Sequence, residues 1–210
     1  TTEKLIAAEL LKIKAVFLRP NEPFTWASGI KSPIYCDNRL ILTAPEMRTK
    51  VENAIADTVK GHYPDAEVLM GTSTAGIAHA AIAGHILDIP MGYVRSGAKD
   101  HGRNNRIEGR LEKGQKVVVI EDLISTGGSS LKAVEAIRRD GCEVIGMVAS
   151  FTYGFPVAIE AFKNAKVNLV TLTNYEAVLD VALKTGYINE EDVPVLDAWR
   201  KDPAHWDAGK

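Results

Sequence analysis

The first part of the chain places hydrophobic residues at helical and then at alternating spacing. Over residues 3–18, one face collects large apolar side chains at every third or fourth position: Ile6, Leu10, Ile13 and Phe17. This pattern predicts an amphipathic helix that ends before Pro20. Residues 24–36 alternate around a Ser-Gly turn, and this alternation predicts a hairpin.

From residue 43 onward, the patterns of helix and strand follow one another. Thr43-Ala-Pro-Glu46 has the form of a capping box and predicts a helix to about Lys60. Short apolar runs predict strands at 68–70, 91–94, 117–120, 144–150 and 167–172. An Ala-rich segment predicts a helix that ends at Leu87, and an amphipathic segment predicts one at 130–139. Further helices are predicted at 157–164 and 176–184, the last with Thr173 as a candidate cap. Such alternation predicts an α/β fold with a doubly wound, mainly parallel sheet flanked by helices.

The predicted elements divide the chain into a small hood and a larger core. Residues 1–42 would form the N-terminal hood of helix and hairpin, and residues 43–210 the α/β core, which includes a long connection at 95–116. With 210 residues, of which 46% are hydrophobic, the chain is long and apolar enough for one sizeable core.

Composition and charge exclude several classes of protein. A net charge of −2 argues against a general nucleic-acid binder, which would be basic. No apolar stretch approaches the length of a membrane span, so we expect no membrane partner. The N-terminal residues lack the basic start and apolar run of a signal peptide. Cys36 and Cys142 match neither a metal-site spacing nor a disulfide framework, and a reducing, cytoplasmic setting is therefore expected.

The candidate chemistry centres on residues 117–130. The apolar run Val117–Ile120 predicts a parallel strand that is covered on both faces, and Glu121 and Asp122 follow it directly. A loop rich in glycine and hydroxyl groups, residues 125–129, then precedes a helix. Backbone N–H groups at a helix start bind phosphate, and ionised carboxylates accept hydrogen bonds from sugar hydroxyls. This order favours a ribose 5-phosphate ligand, and the alternative is a capped helix after a buried strand.

Other phosphate-binding patterns are either absent or less specific. The chain contains neither the Gly-Lys-Ser/Thr of a Walker loop nor a Gly-x-Gly-x-x-Gly opening a helix. Residues 71–76, Gly-Thr-Ser-Thr-Ala-Gly, form a second glycine-hydroxyl loop. This loop would either bind a second anionic group or simply cap the following helix, and its sequence alone fits both.

The long connection at 95–116 is unusually basic, and we call it the basic loop. It holds seven Lys or Arg residues against three Asp or Glu residues, a local excess of four positive charges in a chain of net charge −2. A loop of this length with few apolar residues is typical of a lid. A solvated surface loop is the alternative. The neighbouring phosphate loops favour the first interpretation, a lid that closes on an anionic ligand.

The stretch from the hydrophobic strand through the acidic pair to the glycine-rich loop resembles the signature of type I phosphoribosyltransferases, which bind phosphoribosyl diphosphate (PRPP). The resemblance implies that Glu121 and Asp122 hold the ribose hydroxyls and that residues 125–129 cradle the 5-phosphate. The PRPP contacts that it implies are Arg95, Lys99, His101, Glu121, Asp122, Leu123, Ile124, Ser125, Thr126, Gly127, Gly128 and Ser129. The diphosphate loop would consist of Thr72, Ser73, Thr74, Ala75 and Gly76.

Two further segments resemble the orotate phosphoribosyltransferases within that family. Arg95-Ser-Gly-Ala-Lys99-Asp100-His101-Gly102 is similar to their flexible loop, and Phe24-Thr-Trp-Ala-Ser-Gly-Ile-Lys-Ser-Pro-Ile-Tyr35 to their N-terminal signature. The resemblance implies transfer of phosphoribosyl from PRPP to orotate in pyrimidine (UMP) biosynthesis, with catalytic roles for Lys99, His101 and Asp122. It also implies a homodimer in which the loop reaches the partner's site in trans, and an orotate contact from Ser125.

Several positions depart from that family pattern. Some members carry cations where this chain has Ala27, Ala75, Ser96 and Tyr153, so the partner of the orotate carboxylate is unassigned. Tyr35 would either stack on the base or, as the favoured interpretation, be a buried strand tyrosine. Mg²⁺ is the implied cofactor and would arrive with the substrate, since no protein metal cage is visible in the sequence. The rival functions are a purine or xanthine phosphoribosyltransferase and a non-catalytic regulator that senses PRPP.

Overall fold

The computed structural model describes residues 1–97 and 105–206. The hood contains one helix and four short strands: α1 (Thr2–Lys12), β1 (Val16–Leu18), β2 (Phe24–Thr25), β3 (Lys31–Ser32) and β4 (Ile34–Cys36). A 3₁₀ helix, Asn38–Thr43, leads into the core. The strands form two nested antiparallel pairs, β2 with β3 and β1 with β4. The hairpin predicted at 24–36 is therefore present, and a second pair extends it.

The core is built around a six-stranded sheet. Its strands are β5 (Val68–Thr72), β6 (Met91–Val94), β7 (Ile107–Glu108), β8 (Lys116–Ile124), β9 (Glu143–Thr152) and β10 (Leu169–Asn174), in the spatial order β10-β9-β8-β5-β6-β7. All neighbouring strands are parallel except β6 and β7. The core helices are α2 (Pro45–His62), α3 (Ala75–Leu87), α4 (Gly128–Arg139), α5 (Pro156–Asn164), α6 (Tyr175–Lys184) and α7 (Val193–Lys201). This arrangement confirms the predicted mainly parallel, doubly wound sheet.

The strand order places helices on both faces of the sheet. The chain runs from β5 through α3 to β6 in one direction, and from β8 through α4 to β9 in the other. Because parallel crossovers are right-handed, these opposite directions put α3 and α4 on opposite faces. The central strand β8 is thereby covered on both sides, and Val117 to Ile120 have no exposed surface. The carboxyl end of β8 consequently emerges between the starts of two helices.

The first predicted helix is too long. It ends at Lys12, Lys14 adopts a positive φ of 60°, and Val16–Leu18 pairs with Ile34–Cys36 as a strand. Residues 13–18 match helical spacing and a short apolar run equally well, and pairing with a distant strand decides between them.

Two predicted caps are also wrong. The Thr43 hydroxyl donates to the Leu40 carbonyl, 3.1 Å away, because residues 38–43 already form a 3₁₀ helix, and no side chain caps α2. Before α6, the Asn174 side chain accepts from the Ala177 N–H at 2.9 Å. The Thr173 hydroxyl instead donates to the Glu3 carbonyl of the hood at 2.8 Å.

Two glycine-to-alanine substitutions should affect stability in opposite directions. A Cβ at Gly146 would overlap the ring of Tyr63, whose hydroxyl donates to the Asn168 carbonyl at 2.8 Å. We expect Gly146→Ala to lower the free energy of unfolding by roughly 1–3 kcal/mol. Gly61 lies in α2 with nothing within 4 Å of an added Cβ, and Gly61→Ala should raise the free energy of unfolding by roughly 0.5–1 kcal/mol. Urea unfolding measures both, and equal shifts would contradict this account of Gly146.

Candidate functional site

The acidic pair lies inside strand β8 and not after it. The predicted strand ended at Ile120, but β8 continues to Ile124 because Glu121 and Leu123 pair with Ala149 and Phe151 of β9. Glu121 and Asp122 are both buried, with 8% of their surface exposed. Their positions in a central strand give the two carboxylates fixed and different surroundings.

Glu121 connects β8 to α4. Its Oε1 accepts from the Asp122 N–H at 2.8 Å, and its Oε2 accepts from the Ser130 hydroxyl at 2.7 Å. Burial raises the pKa of Glu121 above its ordinary value, although these hydrogen bonds oppose the rise. Both carboxylate oxygens are thus engaged within the protein, and the predicted ribose contact of Glu121 stays a prediction.

Asp122 belongs to a buried row of ionisable groups. Its Oδ1 has no hydrogen-bond partner among the residues that the structure describes, and it lies 3.6 Å from His79 Nε2. His79 Nδ1 in turn lies 2.5 Å from Glu52 Oε1. Glu52 and His79 are each 1% exposed and come from α2 and α3. The acidic–imidazole row Glu52–His79–Asp122 therefore leads from the core to the end of β8.

Glu52 and His79 were missed by the sequence analysis. Both stand on the apolar faces of their helices, Glu52 beside Val51 and His79 beside Ala80. An ionisable residue at a position that faces the core is a recognisable signal, because such residues are almost never fully buried without a partner. The partner itself lies on another element, so only the fold identifies it.

The electrostatics of the row follow from its burial. Burial alone would lower the pKa of His79, but Asp122 and Glu52 outweigh it and raise that pKa to about 9. Burial raises the pKa of Glu52, against the opposing effect of His79. At neutral pH, His79 is consequently a buried cation between two carboxyl groups.

The elevated pKa of His79 predicts a pH-dependent stability. The folded pKa of about 9 exceeds the ordinary value of 6.5, so the stabilisation is fully present below pH 6.5 and is lost as the pH rises towards 9. The excess stability of the wild type over His79→Gln should shrink by about 3 kcal/mol across that window, at 1.36 kcal/mol per pKa unit. Urea unfolding of both proteins at several pH values measures this difference. A difference that stays constant with pH would contradict an elevated pKa.

The loop after β8 leads into the helix start at which the phosphate site is predicted. Helix α4 begins at Gly128, Gly127 adopts a φ of 86° at its N-cap, and no side chain caps this N-terminus. The alternative that Ser125 or Thr126 merely caps the helix is therefore wrong. The N–H groups of the first turn of α4 therefore have no side-chain acceptor from a cap, as a phosphate site at residues 125–129 requires, and the phosphate contact stays a prediction.

The second loop brings another helix N-terminus to the same place. Ser73 is fixed by its N–H and its hydroxyl, which donate to the Val94 carbonyl at 3.0 and 2.7 Å. Helix α3 then begins at Ala75 without a side-chain cap. A Cβ at Gly76 would lie 2.5 Å from the Ile120 carbonyl, so only glycine allows α3 to start this close to β8. Simple side-chain capping by this loop is thus excluded, and Thr72 to Gly76 border the acidic pair.

A cavity of about 420 Å³ lies where the hood meets the end of β8, and we call it the base cavity. It is lined by Phe24, Thr25, Trp26, Ala27, Tyr35, Cys36, Leu123, Ser125 and Tyr153. Tyr35 is 41% exposed, and its ring centroid lies 5.7 Å from that of Phe24. The interpretation of Tyr35 as a buried strand tyrosine is therefore wrong, because β4 lies at the surface of the hood. The lining carries aromatic rings and several hydroxyl groups, and Ala27 and Tyr153 bring no cation to it.

An aromatic cluster joins the base cavity to the end of the chain. Trp199 of α7 is fully buried, and its ring lies edge-on to those of Trp26 and Tyr153, with each pair of centroids 5.7 Å apart. Tyr153 also stacks on Phe155 at 5.1 Å. Helix α7 thus packs against two of the residues that line the base cavity.

A larger cavity of about 600 Å³ lies elsewhere, between α1, α2 and β10. None of the predicted site residues lines it. The smaller base cavity includes Leu123 and Ser125 at the end of β8 and is the better candidate for the base.

The two described ends of the basic loop meet at the edge of the sheet. The Arg95 N–H donates to the Arg106 carbonyl, Arg106 Nε donates to the Arg95 carbonyl, both at 2.7 Å, and Arg95 Nη1 lies 3.8 Å from Glu108 Oε1. Residues 107–108 form β7, so the connection is not irregular throughout. The predicted site residues Lys99 and His101, with Asp100 and Arg103, lie outside the described residues.

Comparisons with known proteins agree with this arrangement. The phosphoribosyl transferase domain family matches residues 39–183. The orotate phosphoribosyltransferase of Phocaeicola vulgatus is 69% identical over 100% of this chain and 99% of its own, and that of Listeria innocua is 56% identical over 97% and 98%. The crystal structure of an orotate phosphoribosyltransferase from Aeropyrum pernix is 28% identical, with a TM-score of 0.75 over 88% of this chain and 99% of that one.

Proposed function

Since this chain belongs to the orotate phosphoribosyltransferase family, we propose that it transfers the phosphoribosyl group of PRPP to orotate, giving orotidine 5′-monophosphate and diphosphate. The product is the precursor of UMP in pyrimidine biosynthesis. The observation that carries the proposal is the end of β8, which borders all the required subsites. The acidic pair, the N-termini of α3 and α4 and the base cavity all adjoin residues 120–125.

Each subsite has a group suited to one part of the reactants. The Asp122 carboxylate, whose side chain is 11% exposed, accepts a hydrogen bond from a ribose hydroxyl, and the first turn of α4 binds the 5-phosphate. Residues 72–76 bind the diphosphate through backbone N–H groups at the start of α3. The base cavity takes the flat orotate ring among its aromatic side chains, with the Ser125 hydroxyl at its edge.

Magnesium fits this site as part of the substrate. Mg²⁺ takes oxygen ligands and commonly keeps waters and substrate phosphates among them. The described residues contain no group of three His, Cys, Asp or Glu side chains that could hold a metal, and both oxygens of Glu121 already accept hydrogen bonds. We therefore assign no residue of this chain as a metal ligand. Bound to the oxygens of PRPP, Mg²⁺ would neutralise the charge of the leaving diphosphate.

The basic loop would complete the site. Arg95, Lys99 and His101 are proposed to contact the diphosphate and stabilise the negative charge that develops on it. Closure over the site would also exclude water, which competes with orotate for the ribose carbon. We propose that the loop acts in a homodimer, on the partner's site.

The setting that we propose is the cytoplasm. Both cysteines are free thiols, and burial raises the pKa of Cys36 well above its ordinary value and keeps it protonated. Free thiols are typical of reducing compartments. None of the helices in the described part of the chain is both long and apolar enough to cross a bilayer.

One assay tests the proposed function. Incubation of the protein with PRPP, Mg²⁺ and orotate should remove the ultraviolet absorbance of orotate and release diphosphate, with adenine, guanine and xanthine as control acceptors. Turnover of a purine and not of orotate would contradict the proposal in favour of a purine or xanthine enzyme. Binding of PRPP without turnover of any base would instead support a non-catalytic regulator.

A further inference from the structure

We propose that His79 is a positioning residue for phosphoribosyl transfer, which, clamped by Glu52, holds the side chain of Asp122 in the orientation that receives the ribose hydroxyls. The inference rests on the proposed function, because it assigns a role to residues behind the PRPP site. It concerns two side chains, from α2 and α3, that contact no substrate themselves.

The backbone of Asp122 is fixed, but its side chain is not fixed by hydrogen bonds. The Asp122 N–H donates to Glu121 Oε1 at 2.8 Å, and its carbonyl accepts from Asn38 Nδ2 at 3.3 Å. Oδ1 of the carboxylate is buried and lacks a hydrogen-bond partner within residues 1–97 and 105–206. The one cationic group in an ion pair with this oxygen in the described residues is His79 Nε2, at 3.6 Å. The orientation of the carboxylate thus depends on His79.

His79 itself is oriented by Glu52. An imidazole ring has two nitrogen atoms, and a hydrogen bond to one of them determines where the other points. The 2.5 Å contact between His79 Nδ1 and Glu52 Oε1 directs Nε2 towards β8. Because both side chains are 1% exposed, neither has room to turn into solvent. The orientation of Asp122 at the ribose subsite therefore depends, through His79, on the position of Glu52 in α2.

Stability alone does not account for the row. Burying ionisable groups costs desolvation free energy, and well-packed apolar residues of similar volume are often as stabilising as a buried ion pair. Glu52 Oε2 and Asp122 Oδ1 also lack hydrogen bonds within the described parts of the chain. A row that ends on the buried oxygen of a carboxylate whose side chain is 11% exposed is arranged to orient that carboxylate.

The surrounding charges must be considered in any pH experiment. Arg48 on α2 interacts electrostatically with Glu52, whereas Cys36 and Arg39 of the hood segment and Glu121 of β8 interact with Asp122. Arg48 and Arg39 stay charged throughout the accessible range, and burial keeps the Cys36 thiol protonated. His79 is therefore the group of this set expected to titrate on the alkaline side of neutrality.

Two variants and a matched control test the proposal. His79→Gln keeps a neutral donor, Glu52→Gln keeps the shape of the clamp, and Tyr63→Phe removes a distant buried hydrogen bond to Asn168. We expect His79→Gln to lower kcat/KM for PRPP by about 10-fold, with KM for orotate unchanged within about 2-fold. Tyr63→Phe should leave both parameters at wild-type values.

The pH profile supplies a readout that a purely structural role would not change. In wild type, one alkaline limb of kcat/KM for PRPP should follow the loss of the His79 proton near pH 9. In Glu52→Gln, this alkaline limb should move down by about one pH unit or more, because the clamping carboxylate is gone. An unshifted limb, or PRPP kinetics equal to those of Tyr63→Phe in both variants, would overturn the proposal.

A measurement on the wild type covers the case in which the variants do not fold. The chain has five histidines, so the imidazole nitrogen resonances of His79 can be assigned and titrated by NMR. We expect His79 to remain protonated to pH 8 and its Nε2 resonance to shift when PRPP and Mg²⁺ are added. Titration near pH 6.5, or no response to PRPP, would overturn the role. This result does not depend on the acceptor base, so it is separate from a failure to turn over orotate.

Discussion

Replacing Asp122 by asparagine should lower kcat/KM for PRPP by about 5- to 150-fold. The change keeps the shape of the side chain but removes the charge that strengthens its hydrogen bond to a ribose hydroxyl, a loss of about 1–3 kcal/mol. Steady-state kinetics at varied PRPP measures the effect, and circular dichroism at the assay pH checks that the variant is folded.

A matched control for this substitution is Asp88→Asn. Asp88 is exposed at the end of α3 and adopts a left-handed conformation that asparagine also tolerates. The Asp88→Asn variant should retain wild-type PRPP kinetics. Unchanged PRPP kinetics in Asp122→Asn would remove Asp122 from the ribose subsite, whatever the result of the control.

Mixing two impaired variants, Lys99→Ala and Asp122→Asn, should restore activity to as much as about a quarter of the wild-type level. If the basic loop acts in trans, a heterodimer contains one site with both residues intact and one site that lacks both. Random pairing of equal amounts makes half of the dimers heterodimers, each with one working site out of two. The assay is orotate consumption before and after the subunits have re-equilibrated.

The resemblance to orotate phosphoribosyltransferases is the reason to expect action in trans, and the separation between the loop ends and Asp122 is compatible with it. The described ends of the basic loop meet at β6 and β7, on the edge of the sheet, whereas Asp122 lies on β8. Two strands, β5 and β6, separate β7 from β8, a distance of roughly 15 Å at about 4.8 Å per strand. Native mass spectrometry of differently labelled subunits must first demonstrate exchange. If exchange occurs without recovery of activity, the loop acts in cis.

The parts of the fold that were predictable are those with local signals. The strand at Val117–Ile120 is continuous and apolar because the sheet is covered on both faces, and α4 and α5 show one apolar face each. The glycine-hydroxyl loops are also recognisable in the sequence, because a helix that starts close to a strand end needs residues without bulky side chains. These patterns depend on neighbours in the sequence.

The parts that were not predictable depend on partners far away in the chain. Residues 16–18 form a strand only because residues 34–36 lie beside them, and β8 extends past Glu121 only because β9 continues next to it. Likewise, a glutamate on α2 and a histidine on α3 become one row with Asp122 only after three elements have packed together. The sequence therefore suggests candidate site residues where a motif contains them, and it does not reveal residues such as Glu52 and His79, which only tertiary contacts bring to the site.

The aromatic cluster beneath the base cavity has an optical consequence. Trp26 lines the cavity and meets Trp199 edge-on, so two of the three indoles in the chain lie in one continuous aromatic unit beside the proposed site of the acceptor base. An electron-poor ring placed against Trp26 would quench its fluorescence and alter energy transfer to the neighbouring indole. Intrinsic tryptophan fluorescence should therefore report whether the base cavity is occupied. No added label is required, because Trp26 of the hood and Trp199 of α7 provide the signal.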